Sequence, residues 1–154
     1  VIINRGSDDG LRRGMPVVTA QGLVGRVAAV TAGAGRVQLV TDPGSTVNVR
    51  IDPSEASGVL RGQITGEVEL DMIPQGEAIE VGDLVLTSGL GGGFPANILI
   101  GQISGVRSRD QDLFQNASIQ TVVDFSQLEI LLVITNFRPI EVGPLIPTPG
   151  AAGQ

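Results

Sequence analysis

Twice along this chain a glycine opens a short apolar run, a glycine-bearing turn ends it, and a second strand follows with a glycine of its own. In residues 81–101, Leu84, Val85 and Leu86 form an apolar run of strand length. Gly89, Gly91, Gly92 and Gly93 then fill a loop with Leu90 and Phe94, Pro95 stiffens the exit, and Ile98, Leu99 and Ile100 open the next strand. Residues 14–27 follow the same plan: Gly14 corresponds to Gly82, Val18 to Leu86 or Val85, Gly22-Leu23 to Gly89-Leu90, and Gly25-Arg26-Val27 to Gly101-Gln102-Ile103. The later copy has eight extra residues, all in the loop. The echo continues downstream. Val37 leads through Asp42 and Ser45 into Val47, Val49 and Ile51, and Ile119 leads through Asp124 and Ser126 into the apolar run 128–134. The pattern predicts an internal duplication, two related β-units in one chain.

Composition agrees with strands. Trp and Tyr are absent and only four Phe remain, so Ile, Val and Leu must build the core. β-Branched side chains suit a pleated surface. No window of helical length carries apolar residues at three- and four-residue spacing; at most one turn fits at residues 124–128. Many short strands with frequent turn signals indicate an all-β fold. The expectation is two small antiparallel barrels packed together, since closure removes exposed strand edges. The first unit is placed at residues 1–65 and the second at 66–137, with a soft boundary that a strand exchanged or inserted between the units would move. Residues 138–154, with Pro139, Pro144, Pro147 and Pro149, read as a disordered tail. Residues 67–72 alternate acid and apolar, which points Val68, Leu70 and Met72 inward. The run 128–134 is apolar at nearly every position and is expected to be buried on both faces.

The residue types narrow the chemistry. His, Cys and Lys are all absent, which leaves no Ser-His-Asp, Cys-His or Ser-Lys machinery and no ordinary zinc site. Asp8-Asp9 lacks the spaced oxygens of a calcium loop and reads as a solvated turn, and Glu67, Glu69 and Asp71 read as an exposed acidic strand face rather than a metal site. Gly91, Gly92 and Gly93 lack the Lys-Ser/Thr of a phosphate loop, and no helix follows them. Asn116-Ala117-Ser118 matches a glycosylation sequon, a frequent accidental match. A net charge of −6 argues against a nucleic-acid backbone as the main partner. The reading is a protein that is not an enzyme and carries no cofactor. No stretch approaches the ~20 apolar residues of a membrane span. The chain opens at Val1 inside a strand-like run, so a longer protein, with any membrane anchor upstream, is expected.

The ordered set of motifs resembles the rod shape-determining MreC family. It comprises Gly6 to Gly10, Gly14 to Val18, Gly22 to Val27, Thr41 to Ser45, Val81 to Val85, Thr87 to Gly92, and Phe94-Pro95, and it covers residues 1 to about 135. Asn97 and the extra Gly93 depart mildly from the usual loop. The resemblance implies a double β-barrel region of SH3-like or chymotrypsin-like plan without catalytic residues. It implies a place outside the membrane, in the periplasm or on the outer face, with anchoring by an N-terminal membrane helix that a coiled coil follows. It implies a scaffold of the cell-wall elongation machinery that maintains bacterial cell shape. Its partners would be class B penicillin-binding transpeptidases, MreD, the actin-like MreB across the membrane, and further copies of itself as dimers or filaments. The rival reading is a β-barrel adaptor domain of an envelope transport or secretion assembly.

Partner contacts are expected on loops. Leu90, Phe94 and Pro95 in the expanded loop, and Leu113 and Phe114 in the loop after Arg109, are the interface candidates, because anchors are enriched in aromatics. The competing role for Phe94 is to fold back and plug a barrel end. Phe125 and Phe137 flank strands and are expected in the core.

Overall fold

The computed structural model describes residues 1–109, 111–128 and 130–137. Among them are eleven strands: β1 Ile2–Ile3, β2 Pro16–Val18, β3 Leu23–Val30, β4 Gly35–Leu39, β5 Thr46–Asp52 and β6 Ser57–Gly62, followed by β7 Val68–Pro74, β8 Leu84–Thr87, β9 Leu99–Arg107, β10 Phe114–Thr121 and β11 Leu132–Val133. The only helical pieces among these residues are single 3₁₀ turns at Ser7–Asp9 and Leu90–Gly92. Accordingly, no helix in the described residues is long and apolar enough to cross a membrane. The expected tail, residues 138–154, lies outside the described residues.

The strands form two antiparallel systems. One is a closed six-stranded barrel in the order β10-β7-β6-β5-β8-β9; the other is a five-stranded sheet in the order β1-β4-β3-β2-β11. The all-β, two-part plan stands. Of its two parts, the second is closed and the first is an open sheet among the described residues.

The duplication reaches the level of single hydrogen bonds. Val17 and Leu39 flank Gly25, as Val85 and Thr121 flank Gly101. Gly14 N donates to Val27 O at 2.7 Å and Gly82 N donates to Ile103 O at 2.8 Å. The bulge that skips from Val27 to Ala29 against β4 recurs between Ile103 and Gly105 against β10. A Cβ on Gly25 would strike the Gln38 carbonyl, and one on Gly101 the Gln120 carbonyl, so both sites require a bare backbone. One detail of the sequence alignment is corrected. Leu23 pairs with Val18 as Leu99 pairs with Leu86, so the counterpart of Leu23 is Leu99 and not Leu90. Residues 88–97 are therefore an expanded turn set between equivalent strands.

Strand pairing does not follow the expected boundary at residue 65. β4 and β10 are equivalent, but β5, which follows β4, leaves its own half and pairs with β8 through Ile51 and Val85. β11, which follows β10, returns and pairs with β2 through Val133 and Val17. The strand that follows β4 and the strand that follows β10 thus each join the first hairpin of the other unit. β5 and β6, both before residue 65, become walls of the closed barrel.

Two cores result. Val47, Val49, Ile51, Leu60, Leu70, Ile73, Val85, Ile100 and Ile103 fill the barrel, joined by Leu23 and Val40 from the first sheet. Met15, Val17, Val24, Val27, Val37 and Val123 form the second cluster. Phe125 packs against both, as expected of a core aromatic. Full burial of one such aliphatic side chain contributes about 1.5–3 kcal/mol. Buried Gln115 is satisfied: its Nε2 donates to the carbonyls of Pro74 at 3.2 Å and Glu77 at 2.8 Å. In the turn after β10, the Ser126 hydroxyl and backbone N–H donate to Asp124 Oδ1 at 2.6 and 3.0 Å and hold that carboxyl below its usual range.

Two burial expectations change. Met72 does not point inward: it is exposed, has a φ of 60°, and Ile73 takes the core place. The cause is a bulge. β10 pairs Gln115 with Ile73 but Ala117 with Leu70, so Asp71 and Met72 together oppose one residue and the alternation slips. The run 128–134 is not buried on both faces either. Leu128, Leu131 and Val133 pack on the sheet core, whereas Ile130 and Leu132 are exposed, so only one side of the run is covered.

Two substitutions test this packing. Leu70→Asp places an unpaired charge at a fully buried site and should destabilise by roughly 4 kcal/mol or more, lowering the melting temperature by about 10 °C or more. Unchanged melting would mean that β7 is out of register. Gly25→Ala and Gly101→Ala should each cost about 2–3 kcal/mol by forcing neighbouring backbone apart. Gly33→Ala, where an added Cβ meets nothing within 4 Å, should change stability by less than about 0.5 kcal/mol.

Candidate functional site

The expanded turn between β8 and β9 is held firmly at its base. Thr87, fully buried, donates its hydroxyl to Pro95 O at 2.6 Å and accepts Ile98 N–H at 2.9 Å. Asn48 on β5 donates its side-chain amide to Leu90 O at 3.1 Å, and Arg50 donates to Asn97 Oδ1 at 2.8 Å. Glycine is needed in this loop: Gly89, Gly91 and Gly92 all have positive φ, and Gly91 comes close to the Asn48 amide. The loop is thereby laid against β5, the strand that crosses from one unit into the other.

The interface candidates fall into two groups that the fold keeps apart. Leu90 is 64% exposed at the loop tip. Phe94 and Pro95 are half-buried, and Phe94 packs against the barrel core. Leu113 is 81% exposed and Phe114 40% exposed, at the other end of β9. There Leu113 O accepts Gln75 N–H at 2.9 Å, and Phe114 is paired with Pro74. The length of β9 separates the two groups by roughly 25–30 Å.

A feature the sequence did not single out lies beside the first group. The loop overhangs the solvent face of β3 and β4 and encloses a cleft of about 800 Å³. Its charged lining is Arg13, Arg26 and Arg36, with no acidic residue, and Gln38 and Asn48 add amides. Arg26 Nε donates to Gln38 Oε1 at 3.3 Å. These arginines are scattered in sequence: the β3–β4 register sets Arg36 near Arg26, and the β2–β3 pairing brings in the turn that carries Arg13. A second cleft, of about 950 Å³, sets Glu67, Glu69 and Asp124 against Arg107. There Arg107 lies 3.8 Å from Glu69, which also accepts from Gln63 and Asn116. Arg61 lies 3.6 Å from Asp71. The acidic strand face is therefore balanced by arginines. Among the described residues no group of three or more His, Cys, Asp or Glu side chains is placed to hold a metal ion.

Residues 1–135 match the family model for the rod shape-determining protein MreC, barrel core. The cell shape-determining protein MreC of Cereibacter sphaeroides is 33% identical over 98% of this chain and 49% of its own length. That of Listeria monocytogenes is 36% identical over 93% of this chain and 50% of its own length. The chain thus spans about half the length of these relatives. A solved structure of Listeria monocytogenes MreC superimposes with a TM-score of 0.82 at 34% identity, covering 90% of this chain and 69% of that one. Two more distant structures share the fold at 22% identity. One is a complex between penicillin-binding protein PBP2 and MreC from Helicobacter pylori, with a TM-score of 0.64, covering 77% of this chain and 74% of that one. The other is the major periplasmic domain of the cell shape-determining filament MreC, with a TM-score of 0.69, covering 80% of this chain and 77% of that one. With the duplicated strand units, the exchanged β5 and β11 and the family match over nearly every described residue, the chain belongs to the MreC family of rod shape-determining proteins.

Proposed function

We propose that this chain is the extracytoplasmic part of a non-enzymatic scaffold that maintains bacterial cell shape, and that it works by holding a class B penicillin-binding transpeptidase within the cell-wall elongation machinery. The observation that carries the reading is the family match, supported by the relative from Helicobacter pylori that forms a complex with PBP2. The geometry supports a binding role: rigid double-sheet packing presents two loop patches, Leu90 with Phe94 and Pro95, and Leu113 with Phe114, without catalytic constellations beside them. MreD, MreB and further copies of the chain, as dimers or filaments, belong to the same reading. So do an N-terminal membrane anchor and a periplasmic or outer-face location. The family match does not favour the rival transport-adaptor reading.

Binding to a transpeptidase ectodomain, measured beside melting curves, tests both the partner and the patches. Leu90→Asp and the pair Leu113→Asp/Phe114→Asp alter exposed side chains, so melting should shift by less than about 2 °C. At least one of them should weaken binding about tenfold or more, the effect of losing one good anchor. Phe94→Ala should lower both stability and binding, because that ring also packs on the barrel core. Parental affinity in all three proteins would remove the loop patches from the interface. A parent that binds no transpeptidase would remove the partner.

A further inference from the structure

The chain carries a net charge of −6, yet one cleft on it is wholly cationic. Among the described residues the ion pairs are Arg50–Asp52, Arg61–Asp71 and Arg107–Glu69, and all lie on barrel strands. Arg13, Arg26 and Arg36 are exposed, unpaired within those residues, and line a single cleft. Three like charges gathered without a counter-charge repel one another and cost stability. A partner bearing carboxylates relieves that cost.

We propose that this cleft receives an extended, acidic segment of a partner protein, its carboxylates taken by Arg13, Arg26 and Arg36 and an apolar side chain by Leu90 and Phe94. The proposal rests on the scaffold reading and deepens it by naming the chemistry of the occupant. Spacing favours a peptide. Arg26 sits opposite Gln38, and Arg36 lies two residues along the same strand, so the two guanidiniums are diagonal neighbours on one face. Diagonal cross-strand neighbours lie about 7–8 Å apart, close to the ~6.7 Å between alternate side chains of an extended chain. Guanidiniums also match carboxylates in a fixed, two-pronged geometry. The apolar wall of Leu90, held by the Asn48 bond, suits a segment that mixes acidic and apolar side chains rather than a uniformly charged polymer. The wall stands ready before binding, which limits the ordering cost of association.

The test uses a fluorescein-labelled peptide of alternating glutamate and leucine, its lysine–leucine counterpart, and the anionic polysaccharide polygalacturonate. The glutamate peptide should bind, and its affinity should fall as salt is raised. Arg26→Glu/Arg36→Glu should weaken it about tenfold or more. Arg109→Glu, a reversal of equal sign outside the cleft lining, should leave it within about twofold. If the double reversal fails to fold, Arg36→Gln at an exposed strand position carries the test, with a smaller loss expected. Equal binding of the lysine peptide, equal losses in the cleft and control variants, or tighter binding of polygalacturonate would overturn the proposal. A parent that binds the glutamate peptide but no transpeptidase leaves the cleft assigned and removes only that partner. One that binds the transpeptidase but not the peptide removes the cleft.

Discussion

The pairing of β5 with β8 is the contact on which the rest of the molecule depends. Through Val49, Arg50, Ile51 and Asp52 it carries the chain out of the first sheet and makes the barrel close. It delivers Asn48 and Arg50 to the expanded loop, whose tip would otherwise have no neighbour to fix it. It also places Thr46 and Asn48 beside the outer faces of β3 and β4, which turns an open sheet surface into a walled cleft. Loss of this single pairing would open the barrel and leave both the loop and the cleft undefined.

Much of this was legible in the sequence, and the failures share a cause. The all-β plan was readable because Ile, Val and Leu had to build the core and turn signals recur at short intervals. The duplication was readable because Gly25 and Gly101 answer to the same close approach of a neighbouring carbonyl. Met72 was misplaced because a bulge is set by the partner strand, and nothing in the local alternation announces it. The apolar run through β11 looked doubly buried because composition does not say whether anything packs on a strand's second face. The Arg13–Arg26–Arg36 grouping was unreadable for a related reason: it exists only in the cross-strand register.

For a binding scaffold, the division of labour in the chain makes physical sense. The repeated strand plan supplies rigidity from aliphatic packing, and the one turn enlarged over its counterpart in the first copy, residues 88–97, supplies a surface the plan itself does not need. Glycines let this segment turn sharply, and Thr87 and Asn48 keep it from moving freely. Its apolar side chains are divided between anchoring and display: Phe94 rests on the core while Leu90 faces solvent.

The reciprocal exchange has a consequence for how the protein is made. Val17 finds its partner in Val133, so the first sheet lacks its last strand until nearly all of the described chain has left the ribosome. The barrel in turn needs β5 from the early part and β10 from the late part. Contacts so distant in sequence slow folding and prolong the exposure of unpaired strand edges. The nascent chain therefore cannot finish one half and then the other. Its halves mature together, once the last of the described strands has been made, and the interval before that is when it most needs protection from other chains.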